Sequence, residues 1–150
     1  HHIHFDRRGY PDRARIEGPF DLIDMTTIAD TYDAVTTLRP YQKPTTPRNA
    51  IKELLKMSGT MLHPTYLERF IFSLGSYPVG TLVRLDNNEI GLVGQVGIEN
   101  PDAVQLKILF DRNGSRLEEP PILNLAAHEK KRIVAEVDPF IKGVEVVDYF

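Results

Sequence analysis

Near residue 77 the hydrophobic pattern of this chain changes period, and that change limits its architecture more than any other feature. Before it, apolar residues recur at helical spacing. Leu22, Ile23, Met25, Ile28, Ala29, Tyr32 and Val35 form a broad stripe, the signature of an α-helix that buries a side. The stripe predicts a helix from Asp21, whose carboxylate can cap it, to Arg39, where Pro40 disfavours the α conformation. Asp30 falls among the apolar positions, where an unpaired carboxylate is costly, so a partner is expected for it. Thr46-Pro47 is a cap followed by a first-turn proline. It opens a second helix through Ala50, Ile51, Leu54 and Leu55 that stops at Gly59. His63-Pro64 or Pro64-Thr65 opens a third, with Leu67, Phe70, Ile71 and Leu74 on one side and Gly75 as its stop. Residues 1–19 hold Gly9, Pro11, Gly18 and Pro19 among few apolar residues and read as a loop.

After Tyr77-Pro78-Val79-Gly80 the period shortens to two. Thr81–Leu85 alternates like a half-buried strand, and Asp86-Asn87-Asn88 is turn-forming. Ile90–Val96, Ala103–Phe110, Ile122–Leu125 and Arg132–Val137 read as four more strands, with a turn on Asn113-Gly114. Residues 77–138 are therefore expected to form a small antiparallel sheet or barrel, closed by a C-terminal segment around Phe140 and Tyr149. The fold class is α+β, with a helical part over residues 1–76 and a β-rich part over 77–150. Glu89, Lys107, Asp111 and Arg112 are scattered through the latter without forming a triad or metal cluster. A structural or partner-binding role is expected for it.

Composition narrows the function classes. The chain has 150 residues, 41% hydrophobic and 26% charged, with a formal net charge of −3. That balance suits a globular domain and argues against a DNA or RNA polymer as partner, which calls for a basic face. There is no cysteine, so neither a disulfide framework nor a thiolate metal site is available. No apolar run approaches the ~20 residues of a membrane span. A cytoplasmic location is expected.

The segment richest in chemistry is the first eleven residues, His-His-Ile-His-Phe-Asp-Arg-Arg-Gly-Tyr-Pro. Neutral imidazoles are common metal ligands, and a nearby carboxylate can ligate the same ion or orient a histidine. The bland alternative for His1 and His2 is a purification tag, which would not supply Asp6, Gly9, Tyr10 and Pro11. With those in register, the segment resembles the HD-GYP signature HHxxxDGxGYP. Downstream, Ala29-Asp30-Thr31-Tyr32-Asp33-Ala34-Val35-Thr36-Thr37-Leu38-Arg39-Pro40-Tyr41 is similar to the family pattern A-D-x-x-D-A-x-T-x-x-R-P-Y. The likeness covers roughly residues 1–75. The Tyr-Pro-Val-Gly-Thr segment resembles an extension found after some HD-GYP domains.

The resemblance implies a metal-dependent phosphodiesterase acting on cyclic di-GMP. It implies His1, His2 and Asp30 as ligands of a divalent metal, iron or manganese, with Asp6 and Asp33 in supporting roles. Gly9, Tyr10, Arg39 and Lys43 would face cyclic di-GMP or a related nucleotide; an arginine suits phosphate through its bidentate fork. For Arg39 the alternative is an ordinary helix-end arginine interacting with the dipole, and for Tyr41 it is core packing. The family's His-Asp pair lies upstream of its GYP loop, and no His-Asp dipeptide occurs here. The chain is thus expected to be the C-terminal part of a longer protein and inactive by itself, with Ile28 and Tyr32 deprived of the helices they pack against and the β-rich half the more stable. Three positions depart from the family pattern. Arg7 stands where it has glycine, Ile3 where it often has glutamate, and Gln42 where a basic residue usually follows R-P-Y. These motivate an alternative: a degenerate, non-catalytic module that serves as a cyclic di-GMP receptor or a protein-interaction scaffold.

Overall fold

The computed structural model describes residues 4–6, 8, 20–37, 45–127 and 130–149. The chain is α+β: three helices precede a five-stranded antiparallel sheet. It divides into two compact units, His1–Phe72 and Ser73–Phe150.

In the first unit, α1 (Phe20–Thr36), α2 (Pro47–Lys56) and the start of α3 (Pro64–Leu74) surround one apolar cluster. Thr46 caps α2 as its sequence demands: its hydroxyl accepts from Asn49 N at 3.4 Å, with Pro47 in the first turn. Gly59 takes φ +80° after the helix, the left-handed conformation that glycine adopts without strain. Ile28, Leu54, Leu62 and Leu67 are buried together, and Tyr32 meets Phe70 edge-on at 5.4 Å.

This packing corrects two expectations about α1. Ile28 and Tyr32 are covered by this chain's own helices, Ile28 to 1% exposure. The outward face consists instead of Asp21, Leu22, Met25, Thr26, Ala29, Asp30 and Asp33, with Leu22 67% and Met25 46% exposed. Asp30 is therefore an exposed carboxylate, and the buried acid of α1 is Asp24, 3% exposed. The reason is that α1 is apolar on more than one side, so periodicity alone does not fix which side turns inward. Its threonines help it tolerate either environment. Thr26, Thr27, Thr31 and Thr36 each donate a hydroxyl hydrogen bond to the carbonyl four residues back, which satisfies them without an outside partner.

In the second unit the strands are β1 (Leu82–Leu85), β2 (Ile90–Val96), β3 (Val104–Phe110), β4 (Ile122–Asn124) and β5 (Ile133–Glu136), in the order β4-β3-β2-β1-β5. Asn88, at φ 69°, closes the β1–β2 turn with its amide donating to Leu85 O. Asp111 holds the turn at Gly114 by accepting from Asn113 N and Ser115 N. β1, β2 and β3 send buried side chains to both faces, so the half-buried alternation expected for β1 holds only at Arg84, whereas β4 and β5 leave Ile122 and Val134 exposed. Val83, Val93, Leu106 and Ile108 point into one cluster, while their chain neighbours Leu82, Leu92 and Leu109 point into another, since successive strand side chains alternate. The second cluster is closed by Val144, Val146 and Tyr149 from the C-terminal segment; the Phe140 side chain lies outside the described residues. Double-sided burial explains the adjacent apolar pairs in the strands.

Candidate functional site

Of the residues singled out by sequence, Asp6, Asp30 and Asp33 belong to the described part. His1, His2, Gly9, Tyr10, Arg39, Tyr41, Gln42 and Lys43 lie outside it, as do Ile3 and Arg7.

The segment that follows the two histidines is anchored on the connection between α2 and α3. Phe5 N donates to Met61 O and Asp6 N to Thr60 O, each at 2.9 Å. Asp6 then folds the chain on itself: its Oδ1 accepts from Arg8 N at 3.1 Å, and His4 N donates to Arg8 O at 2.8 Å. A carboxylate that bonds the backbone two residues on is a turn former. Asp6 so performs a local structural task in a loop that carries metal-ligand residue types.

An aromatic relay fastens this loop to α3. The Phe5 ring stands edge-on to His63 at 4.7 Å, and His63 lies against Tyr66 at 4.3 Å. The Tyr66 hydroxyl is hydrogen-bonded to the Asp21 carboxylate at the start of α1, which together with partial burial raises the tyrosine above its usual range. The buried His63 Nδ1 has no hydrogen-bond partner among the described residues. In the sequence His63 and Asp21 stand out only as helix-opening residues. Their pairings link positions roughly 40 to 60 apart in the chain, and no local pattern announces them.

On α1, Asp30 and Asp33 share the exposed face, as residues three apart on a helix do. Asp33 Oδ1 accepts from Thr37 Oγ1 at 3.1 Å and its carbonyl from Thr37 N at 2.8 Å, fixing the last turn of the helix. Asp30 is positioned by α1 on the side that also presents Leu22, Met25 and Ala29. Among the described residues no three His, Cys, Asp or Glu side chains converge as a metal-binding group. No described helix is long and apolar enough to cross a membrane.

The chain is 37% identical over 93 residues to the cyclic di-GMP phosphodiesterase PA4108 of Pseudomonas aeruginosa. The match takes in 62% of this chain and 22% of that protein, so the chain spans about a fifth of the relative's length. The chain resembles part of a cyclic di-GMP phosphodiesterase. No family model matches it, and no solved structure does.

Proposed function

We propose that this chain is part of a metal-dependent phosphohydrolase of HD-GYP type that opens cyclic di-GMP in the cytoplasm. The observation that carries the proposal is the 37% identity to a named cyclic di-GMP phosphodiesterase, together with the motif around His1–Pro11 and the Ala29–Tyr41 pattern. His1 and His2 would hold the divalent metal, iron or manganese, with Asp30, whose exposure on α1 leaves it accessible to a ligand. When bound, the metal supplies a hydroxide at neutral pH and positive charge beside the phosphate. Gly9 lets the backbone approach the nucleotide, Tyr10 contacts it, and Arg39 and Lys43 bind phosphate oxygens. Asp33 orients the end of α1, and Asp6 holds the turn that follows the histidines.

These three ligands are fewer than the four of even a structural zinc site. The chain by itself accordingly binds metal weakly and turns over no cyclic di-GMP; the remaining ligands come from the longer protein. Arg7 and Gln42 favour a second reading, in which the same pocket binds the nucleotide or a protein partner without hydrolysis. Titrating the longer protein with cyclic di-GMP, with and without manganese or iron, separates the two. Metal-dependent turnover is the expected result. Metal-independent binding without turnover would replace the enzymatic reading with the receptor.

A further inference from the structure

The loop that follows His1-His2 and the helix that bears Asp30 are both fastened to the start of α3. Phe5 N and Asp6 N donate to Met61 O and Thr60 O, on the connection that leads into this helix. At the junction stands His63, whose carbonyl accepts from Leu67 N at 2.9 Å and so opens α3. Its ring makes two aromatic contacts at once. Phe5 meets it edge-on at 4.7 Å and 67°, and Tyr66 lies against it at 4.3 Å, tilted by 33°. Tyr66 in turn bonds Asp21 in the first turn of α1, the helix on which Asp30 follows.

Hydrogen bonding is not what holds this imidazole. Its buried Nδ1 has no partner among the described residues, and a buried polar atom left without a bond costs stability. What holds it is its two ring contacts, and aromatic pairs are directional: edge and offset arrangements are preferred over others. An aliphatic side chain would fill the same space without fixing either neighbour's orientation. Phe5 follows His2 by three residues, and a chain spans no more than about 3.6 Å per residue, so how Phe5 is held limits how far His2 can range.

We propose that His63 is a positioning residue for metal binding: acting through Phe5 and Tyr66, it sets the loop of the two histidines against the helix that carries Asp30. The inference rests on the metal centre proposed above and names a residue outside its ligand set. Ligands from two separate elements close on one ion only while those elements keep their places, and groups that orient ligands from behind typically account for about 10–100-fold in metal affinity. The ring shape matters here and the imidazole nitrogens do not.

The test uses the longer protein with manganese alone, free manganese being counted by its electron paramagnetic resonance signal and thermal midpoints read in parallel. His63→Ala should weaken manganese binding at least about tenfold, and Phe5→Ala should do the same from the loop's side. Because both remove one linkage, the double substitution should lose no more than about twofold beyond the weaker single variant. His63→Phe keeps both ring contacts and should restore affinity to within about threefold of the unsubstituted protein. Ile28→Val loosens the same helical unit elsewhere and should lower the midpoint with manganese affinity unchanged. A His63→Ala protein that melts earlier yet binds manganese fully would reduce the residue to packing and overturn the proposal, as would a His63→Phe variant as weak as His63→Ala. Should His63→Ala fail to fold, Phe5→Ala and His63→Phe decide by the same two readings. His2→Gln separates the levels. If it leaves manganese binding intact, the metal centre falls and this proposal with it; if it abolishes binding while His63→Ala does not, this proposal alone falls.

Discussion

Replacing Ile28 by alanine should cost far more than replacing Leu22, although both lie on α1 and both lose three carbons. Ile28 is 1% exposed within the cluster of Leu54, Leu62 and Leu67. At about 0.8 kcal/mol per buried methylene the transfer loss is about 2.4 kcal/mol, and a partly relaxed cavity carries it to about 3–4 kcal/mol. Leu22 is 67% exposed. About a third of the same loss applies there, and alanine's better helix propensity returns a few tenths of a kcal/mol, leaving under ~0.6 kcal/mol. Urea unfolding followed by circular dichroism at 222 nm reads the helical unit and yields both differences. A Leu22→Ala loss equal to that of Ile28→Ala would refute the orientation of α1, and with it the exposure of Asp30.

Three further outcomes follow from particular contacts. A Cβ added to Gly75, at φ +73°, would lie 2.4 Å from Pro101 O, so Gly75→Ala should destabilise the β-rich unit by about 1–3 kcal/mol, read as a lowered thermal midpoint with the 222 nm signal largely kept. Glu89 is pushed up by burial, but the Lys131 ammonium at 2.7 Å, the Asn87 bond and the Lys131 and Arg112 charges more than offset this and hold it below the usual carboxylate range. A depressed folded value means that its stabilisation is present above the unfolded pKa and lost as pH falls through the folded one, so Glu89→Gln should lower stability at neutral pH and flatten the acid limb of a stability–pH curve. With the α1 face open and the central strands β1–β3 buried on both sides, the helical unit should melt before the β-rich unit on heating, seen as loss of the 222 nm signal before loss of the Val83 and Leu106 methyl shifts.

Local punctuation made much of the fold legible. Pro47, Pro64, Gly59, Gly75 and Gly114 mark helix starts, helix stops and a turn because each is decided by one residue's backbone preference, and the structure has elements beginning or ending beside each of them. Faces were harder to read. An apolar stripe wide enough to wrap α1 names no inner side, and β1 reads as half-buried because its second cover, Val144–Tyr149, lies some 60 residues away. For the site, the chemistry of His1, His2 and Asp30 was legible only through whole motifs, since imidazoles and carboxylates occur as freely on surfaces. The Phe5–His63–Tyr66–Asp21 relay left no trace in the sequence, because each of its members has an ordinary local reason to stand where it does.

In the function proposed above, Asp30 and the two leading histidines serve one metal-dependent phosphodiesterase centre. The direct measurement is cyclic di-GMP hydrolysis with manganese by the longer protein, unsubstituted and as Asp30→Asn, with bound metal quantified in the same samples. The substitution keeps the side chain's shape at an exposed position, and the thermal midpoint read in the same samples checks that the fold persists. Turnover should fall by at least about a hundredfold, in line with removal of an electrostatic catalytic element, together with loss of bound metal. Full turnover and full metal content in the Asp30→Asn protein would contradict it.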